Sequence, residues 1–237
     1  MLVQRWHGAG TASSRGAAAA PVLLRSLDLS DRRWDLAAEA ACLSDAERAR
    51  ADQGVPAVRR RRILVRAGLR RVLGGVLGTA PADVPLRTDG GRPFLPGDRL
   101  RFSCSASGDV ALLAVTRGCP VGVDVQHHRD EDVRAAAGEG WLADEELARI
   151  AGLSAGERPA VVTRARTQKE AVLKARGTGV RRPPVDVVTP VTERGWIGAL
   201  HLSPVPVPSG YVASLAAGVP VDPDLVDPVA LSPGGCG

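Results

Sequence analysis

The sequence predicts an α+β (α/β) fold built as a pseudo-dimer of two similar α+β halves, and two observations predict it. Ser107-Gly108-x-Val110-Ala111-x-Leu113-Ala114 returns as Ser209-Gly210-x-Val212-Ala213-x-Leu215-Ala216, an offset of 102 (209 − 107). A basic, helix-like stretch ending at Gly74 is matched by another ending at Gly177, an offset of 103 (177 − 74). Ala, Leu and Gly recur cheaply in this composition, so the echo is read together with the order of the elements. On this reading residues 1–20 are a disordered leader, 21–121 the first half, 122–218 the second half, and 219–237 a loose Pro-rich tail. A site between two such halves draws residues from both.

Val22 to Leu29 is a short apolar run and reads as the first strand. Ser44 with Glu47 three residues later is a capping box that opens a helix. Gly54 and Pro56 interrupt that helix, and a strongly basic one follows from about Ala57 to Leu73, stopped by Gly74-Gly75. Its Ile63, Leu64, Leu69, Val72 and Leu73 are available for burial. Turn residues fill Thr88 to Pro93 and Leu95 to Asp98. Arg101 to Val115 reads as two strands around a turn at Ser107-Gly108-Asp109, and Val121 to Val125 as the next strand after Gly118-Cys119-Pro120. Trp141 to Leu153 is a helix capped near Asp144, and Val161 to Arg176 a second one, with Gly177 and Gly179 at its end. Val185 to Val188, Trp196 to Leu202 and Tyr211 to Ala216 are the remaining strands.

Composition bounds the function. A chain of 237 residues with 44% hydrophobic and 24% charged content is that of a soluble globular protein. Aromatics are only 3%, so Leu, Val and Ala must fill the core. The net charge of +5 suits phosphorylated or acidic ligands. With so few aromatics for base stacking, the Arg59–Arg62 run reads as a solvated face in preference to a nucleic-acid site. No apolar run approaches a membrane span, and the leader lacks the apolar core of a signal peptide. Cys42, Cys104, Cys119 and Cys236 lie far apart, which argues against zinc and for reduced thiols in a cytoplasmic protein.

The chemistry centres on Arg166 to Gly179, R-T-Q-K-E-A-V-L-K-A-R-G-T-G. Glu170 and Lys174 are four apart and share one helix face. Alone, such a pair is commonplace on a solvated helix. Its weight comes from V-G-V-D-V-Q at Val121 to Gln126, where an apolar run delivers Asp124. Asp124 by itself fits a turn or cap residue equally well. One carboxylate from each segment, with a lysine nearby, is the inventory of a magnesium-phosphate site.

With these pieces in order, the chain resembles the surfactin-type 4'-phosphopantetheinyl transferases from about Pro21 to Ala217. G-R-P at Gly91 to Pro93, F-S-C-S-A-S-G at Phe102 to Gly108, G-V-D-V-Q at Gly122 to Gln126 and K-E-A-V-L-K-A at Lys169 to Ala175 carry the likeness. The resemblance implies transfer of 4'-phosphopantetheine from coenzyme A to a serine of an apo acyl or peptidyl carrier protein, with Mg²⁺, in polyketide or nonribosomal peptide biosynthesis. It implies that Asp124 and Glu170 hold the metal, joined by Gln126 through its neutral carbonyl. Glu170 orients or deprotonates the serine, and Lys174 neutralises the diphosphate. Arg62, Arg92, Ser103, Ser105, Ser107 and Lys169 are expected to bind coenzyme A. A chain that holds both halves is expected to act as a monomer. The family usually has His, Asn, Trp and Glu where this chain has Ala106, Ser103, Arg166 and Gln126. A repurposed homologue that recognises a carrier domain or its pantetheine arm without this transfer is the alternative.

Overall fold

In the computed structural model, residues 22–97, 100–127, 140–178, 183–221 and 228–234 are described. The leader, Gly179 and Cys236 lie outside them. The elements run β1 (Leu23–Asp28), α1 (Leu36–Ala40), α2 (Asp45–Asp52), α3 (Pro56–Leu77), β2 (Arg87–Asp89), β3 (Arg92–Phe94), β4 (Leu100–Ser107), β5 (Val110–Arg117) and β6 (Val121–His127). Then follow α4 (Asp144–Ala151), α5 (Arg158–Arg176), β7 (Gly195–Ile197), β8 (Leu200–Pro204), β9 (Tyr211–Ala217) and β10 (Val229–Ala230). Mixed helix and sheet make this the expected α+β fold. Among the described residues no helix is long and apolar enough to cross a membrane.

Two four-stranded sheets have the orders β10-β1-β5-β4 and β6-β9-β8-β7. Within each, the half's first strand pairs antiparallel with its last, which pairs antiparallel with the one before it. The echoed Ser-Gly pairs fall just before β5 and β9, where Gly108 and Gly210 take φ of 52° and 86°. The two turns also approach each other: the Asp109 N–H donates to Tyr211 Oη at 3.1 Å.

The layers follow from strand alternation. Ala111, Leu113 and Val115 of β5 pack with Leu64, Leu69, Val72 and Leu73 of α3. Val110, Leu112 and Ala114 face the other way, against Val121, Val123 and Val125 of β6 and Ala213, Leu215 and Ala217 of β9. On the far face of the second sheet, Ala171, Val172 and Leu173 of α5 pack on Leu200, Leu202 and Ala216. The order is helix, sheet, sheet, helix.

Local chemistry explains both agreement and difference. Ser44 caps α2 as read: its N–H donates to Glu47 Oε2 at 2.9 Å, and the Glu47 N–H donates to Ser44 Oγ at 3.3 Å. Helix α3 runs past Gly74-Gly75 and ends at Gly78, which takes a left-handed φ of 73°. A Cβ on Gly74 would lie 2.8 Å from Thr79 O, so this glycine admits the returning chain instead of stopping the helix. Trp196 to Leu202 is split at Gly198 into the β7–β8 hairpin. Val185 to Val188 forms no strand, because its backbone is used elsewhere: Pro184 O and Val187 O accept from Lys169 Nζ, and the Thr189 N–H donates to Glu146 Oε1.

Two further expectations are corrected. Part of the tail is ordered into the first sheet: β10 pairs parallel with β1, the Leu231 N–H donates to Ser26 O at 2.8 Å, and Leu231 packs against the α3 core. Cys42 is engaged in a disulfide, contrary to four reduced thiols, while Cys104 and Cys119 are free.

Candidate active site between the halves

On β6 the even positions Gly122, Asp124 and Gln126 face α5, since the odd valines are spent on the core between the sheets. Gly122 sets the distance between these elements. A Cβ there would lie 1.9 Å from Ala171 O and 2.6 Å from Ala175 N, so only glycine lets α5 come so close. That approach brings Lys174 Nζ to 2.6 Å from Asp124 Oδ1 and 3.2 Å from Val123 O. Ser105 Oγ donates to the same Oδ1 at 2.7 Å, and Gln126 Nε2 donates to Oδ2 at 3.1 Å. Asp124 is buried; Lys174 is partly exposed.

Glu170 lies one helical turn before Lys174 and is half-buried. Burial pushes its carboxyl above the ordinary range, and the Asp124 charge pushes the same way, partly offset by Lys174 and Arg166. Two carboxylates therefore repel across this cleft. They form a hard-oxygen donor pair, with the Gln126 amide beside them, that fits a divalent cation such as Mg²⁺. Among the described residues no three His, Cys, Asp or Glu side chains gather as a metal cage, so protein carboxylates would supply two ligands only.

The serines of β4 occupy a different position from the one expected of phosphate donors. Ser103 Oγ accepts from the Val123 N–H at 3.1 Å, Ser105 Oγ from Val125 at 3.3 Å and Ser107 Oγ from His127 at 3.0 Å. Alternate hydroxyls of one half thus bond the backbone of the other. Ala106 and Cys104 point the opposite way, into a cavity of about 720 Å³ lined also by Arg50, Arg61, Arg62 and Arg66. Arg62 stands in that wall, with Nη1 donating to Arg50 O and Gln53 O. Arg92 caps the C-terminus of α5 through Gly177 O at 2.9 Å and Lys174 O at 3.4 Å, next to Gly91 and Pro93 of the cavity wall.

Lys169 does not join the group. It is fully buried, with Nζ 2.6 Å from Glu146 Oε2 and donating to Val187 O at 2.7 Å and Pro184 O at 3.2 Å. All three ammonium protons are thereby used. Consecutive helix residues diverge by about 100° around the axis, so Lys169 enters the interior while Glu170 faces the cleft. Sequence reasoning gave Gly122 no role, although a glycine inside an apolar strand signals a close backbone approach.

Sequence comparison relates the chain to known proteins. Residues 120–203 match the sequence profile of the 4'-phosphopantetheinyl transferase superfamily, a span that holds Asp124, Glu170 and Lys174. The chain is also 34% identical over 150 residues to the 4'-phosphopantetheinyl transferase HetI of Nostoc sp. (strain PCC 7120 / SAG 25.82 / UTEX 2576). That likeness covers 60% of this chain and 63% of the relative's length. Profile and relative together show that the chain is similar to 4'-phosphopantetheinyl transferases over this stretch.

Proposed function

We propose that this protein transfers the 4'-phosphopantetheine group of coenzyme A to a serine of an apo acyl or peptidyl carrier protein. The observation that carries the proposal is the meeting of Asp124 from β6 with Lys174 from α5, with Glu170 one turn away, inside the stretch shared with the family. The serine oxygen forms a bond to the pantetheine-bearing phosphorus. The bridge bond from that phosphorus to the 5'-phosphate oxygen breaks, and adenosine 3',5'-bisphosphate departs. Glu170 takes the serine proton, a role that its raised proton affinity favours. Lys174 neutralises the diphosphate, and Arg62 with Arg50, Arg61 and Arg66 receives the nucleotide phosphates in the cavity. Bound at Asp124, Glu170 and Gln126, Mg²⁺ would offset the charge of the diphosphate.

The carrier belongs to a polyketide or nonribosomal peptide system, and one cytoplasmic monomer suffices, because both halves line the cleft. Mass spectrometry of an apo carrier incubated with coenzyme A and Mg²⁺ tests the reading. The carrier gains phosphopantetheine, and Asp124→Ala and Glu170→Ala each lower the rate at least 100-fold. Absence of the adduct across several carriers overturns it. Retained coenzyme A binding without transfer then marks a homologue that recognises the pantetheine arm for another purpose, a reading that Ala106 favours.

A further inference from the structure

Arg166, Glu170 and Lys174 lie at i, i+4 and i+8 on α5 and form a single row of alternating charge. At 1.5 Å per residue, the Arg166 and Lys174 backbones are about 12 Å apart, on either side of Glu170. Lys174 is the cation at the nucleotide end: Arg92 reaches its carbonyl from the strand whose Pro93 lines the arginine-rich cavity. Arg166 is the cation at the opposite end. Its guanidinium carbon stands 5.0 Å from the centre of the Trp141 ring. Arg166 makes no hydrogen bond or ion pair among the described residues, and its Nε is buried without a partner. Its charge nevertheless acts on the Glu170 carboxylate. A half-buried guanidinium held on an aromatic face, with its forked donors unspent, is prepared for an anion.

We propose that Arg166, propped on Trp141, contacts the substrate and binds the phosphoryl group that is transferred, the one phosphate that departing adenosine 3',5'-bisphosphate lacks. This inference rests on the transfer reading above. A coenzyme A molecule with its nucleotide in the cavity meets Lys174 first and Glu170 next. Its pantetheine-bearing phosphate then lies toward Arg166. The fork holds two oxygens of that phosphate while the bond to the nucleotide breaks and the serine oxygen attacks from the far side. Trp141 fixes the guanidinium without spending any of its N–H groups.

Calorimetric titration of the full chain with coenzyme A and, separately, with adenosine 3',5'-bisphosphate tests the assignment. Arg166→Gln weakens coenzyme A binding at least tenfold and leaves bisphosphate binding within twofold. In turnover with a carrier it lowers kcat between 10- and 100-fold. Arg166→Lys recovers part of the loss, since it restores charge without the fork. Trp141→Leu gives a smaller loss of the same ligand selectivity, and Trp141→Phe stays near wild type. Should the Gln variant melt early, Arg166→Lys and Trp141→Leu carry the same comparison. A folded Arg166→Gln that loses both ligands equally, or neither, overturns the proposal while the transfer reading stands. Wild-type protein that binds neither ligand and modifies no carrier removes both.

Discussion

Glu170 is costly to the folded state because of the features that suit it to the role proposed for it. Burial and the Asp124 charge disfavour its ionised form, so its folded proton affinity exceeds that of the unfolded chain. The native protein therefore binds the extra proton between the unfolded and folded pKa values. Relative stability is full below the unfolded value and is lost as pH rises through the folded one. Glu170→Gln is accordingly expected to melt higher than wild type at pH 7 to 8, by less than about 1 kcal/mol because solvent screens a half-exposed group. The advantage disappears in melts near pH 4, while transfer is abolished at every pH. A variant that melts lower at pH 7 contradicts this account. Glu170 and its neighbour Lys174 were legible because a four-residue spacing needs no tertiary knowledge. Lys169 was not. Its partner Glu146 sits 23 positions earlier, and no local pattern states that the two are buried together. A lysine beside a glutamate reads as one of a charged pair facing water until the packing is known.

Elements were legible where the chain itself supplies their ends and obscure where packing decides. The α2 capping box and the turn at Gly108 are local and stood out. Gly74-Gly75 misled because glycine has two uses, as a left-handed cap and as a gap for another chain, and the sequence does not distinguish them. Gly78 takes the first use and Gly74 the second. The 185–188 stretch has strand composition, yet its carbonyls satisfy Lys169, and β propensity yields to that demand. Gly122 belongs to the same argument, because it fixes how closely β6 and α5 pack. With Ala171 O only 1.9 Å from where a Cβ would stand, α5 must shift to admit a methyl group. Gly122→Ala is expected to cost at least about 3 kcal/mol in urea denaturation, at the upper end of overpacking penalties. The shift also carries Glu170 and Lys174 away from Asp124, so kcat should fall at least tenfold in whatever fraction remains folded. Native stability with full activity would show that the helix does not govern the site.

At the scale of the whole molecule, the repeated strand order puts β4 and β6 side by side, and the serines at alternate positions of β4 do the work of a ladder. Ser103, Ser105 and Ser107 offer hydroxyl oxygens at the spacing of successive inward N–H groups of Val123, Val125 and His127. Asp124 lies on the middle rung, held by Ser105, so the register of the two halves and the placement of the carboxylate are one constraint. The echo around Gly108 and Gly210 made the matching turns before β5 and β9 legible. The rungs were not, since a Ser-x-Ser-x-Ser strand reads as polar donors for a ligand until its facing backbone is known. Removing all three hydroxyls leaves three N–H groups on β6 without partners, each a loss of about 1–3 kcal/mol where water cannot replace the bond. The triple Ser103→Ala, Ser105→Ala, Ser107→Ala variant should unfold at least about 1 M urea earlier, with tryptophan fluorescence and circular dichroism no longer coincident as the halves lose cooperation. Binding of coenzyme A should weaken before either half melts, because the cleft depends on the seam. Coincident transitions at the wild-type midpoint would show instead that the apolar core between the sheets holds the halves in register without the serines.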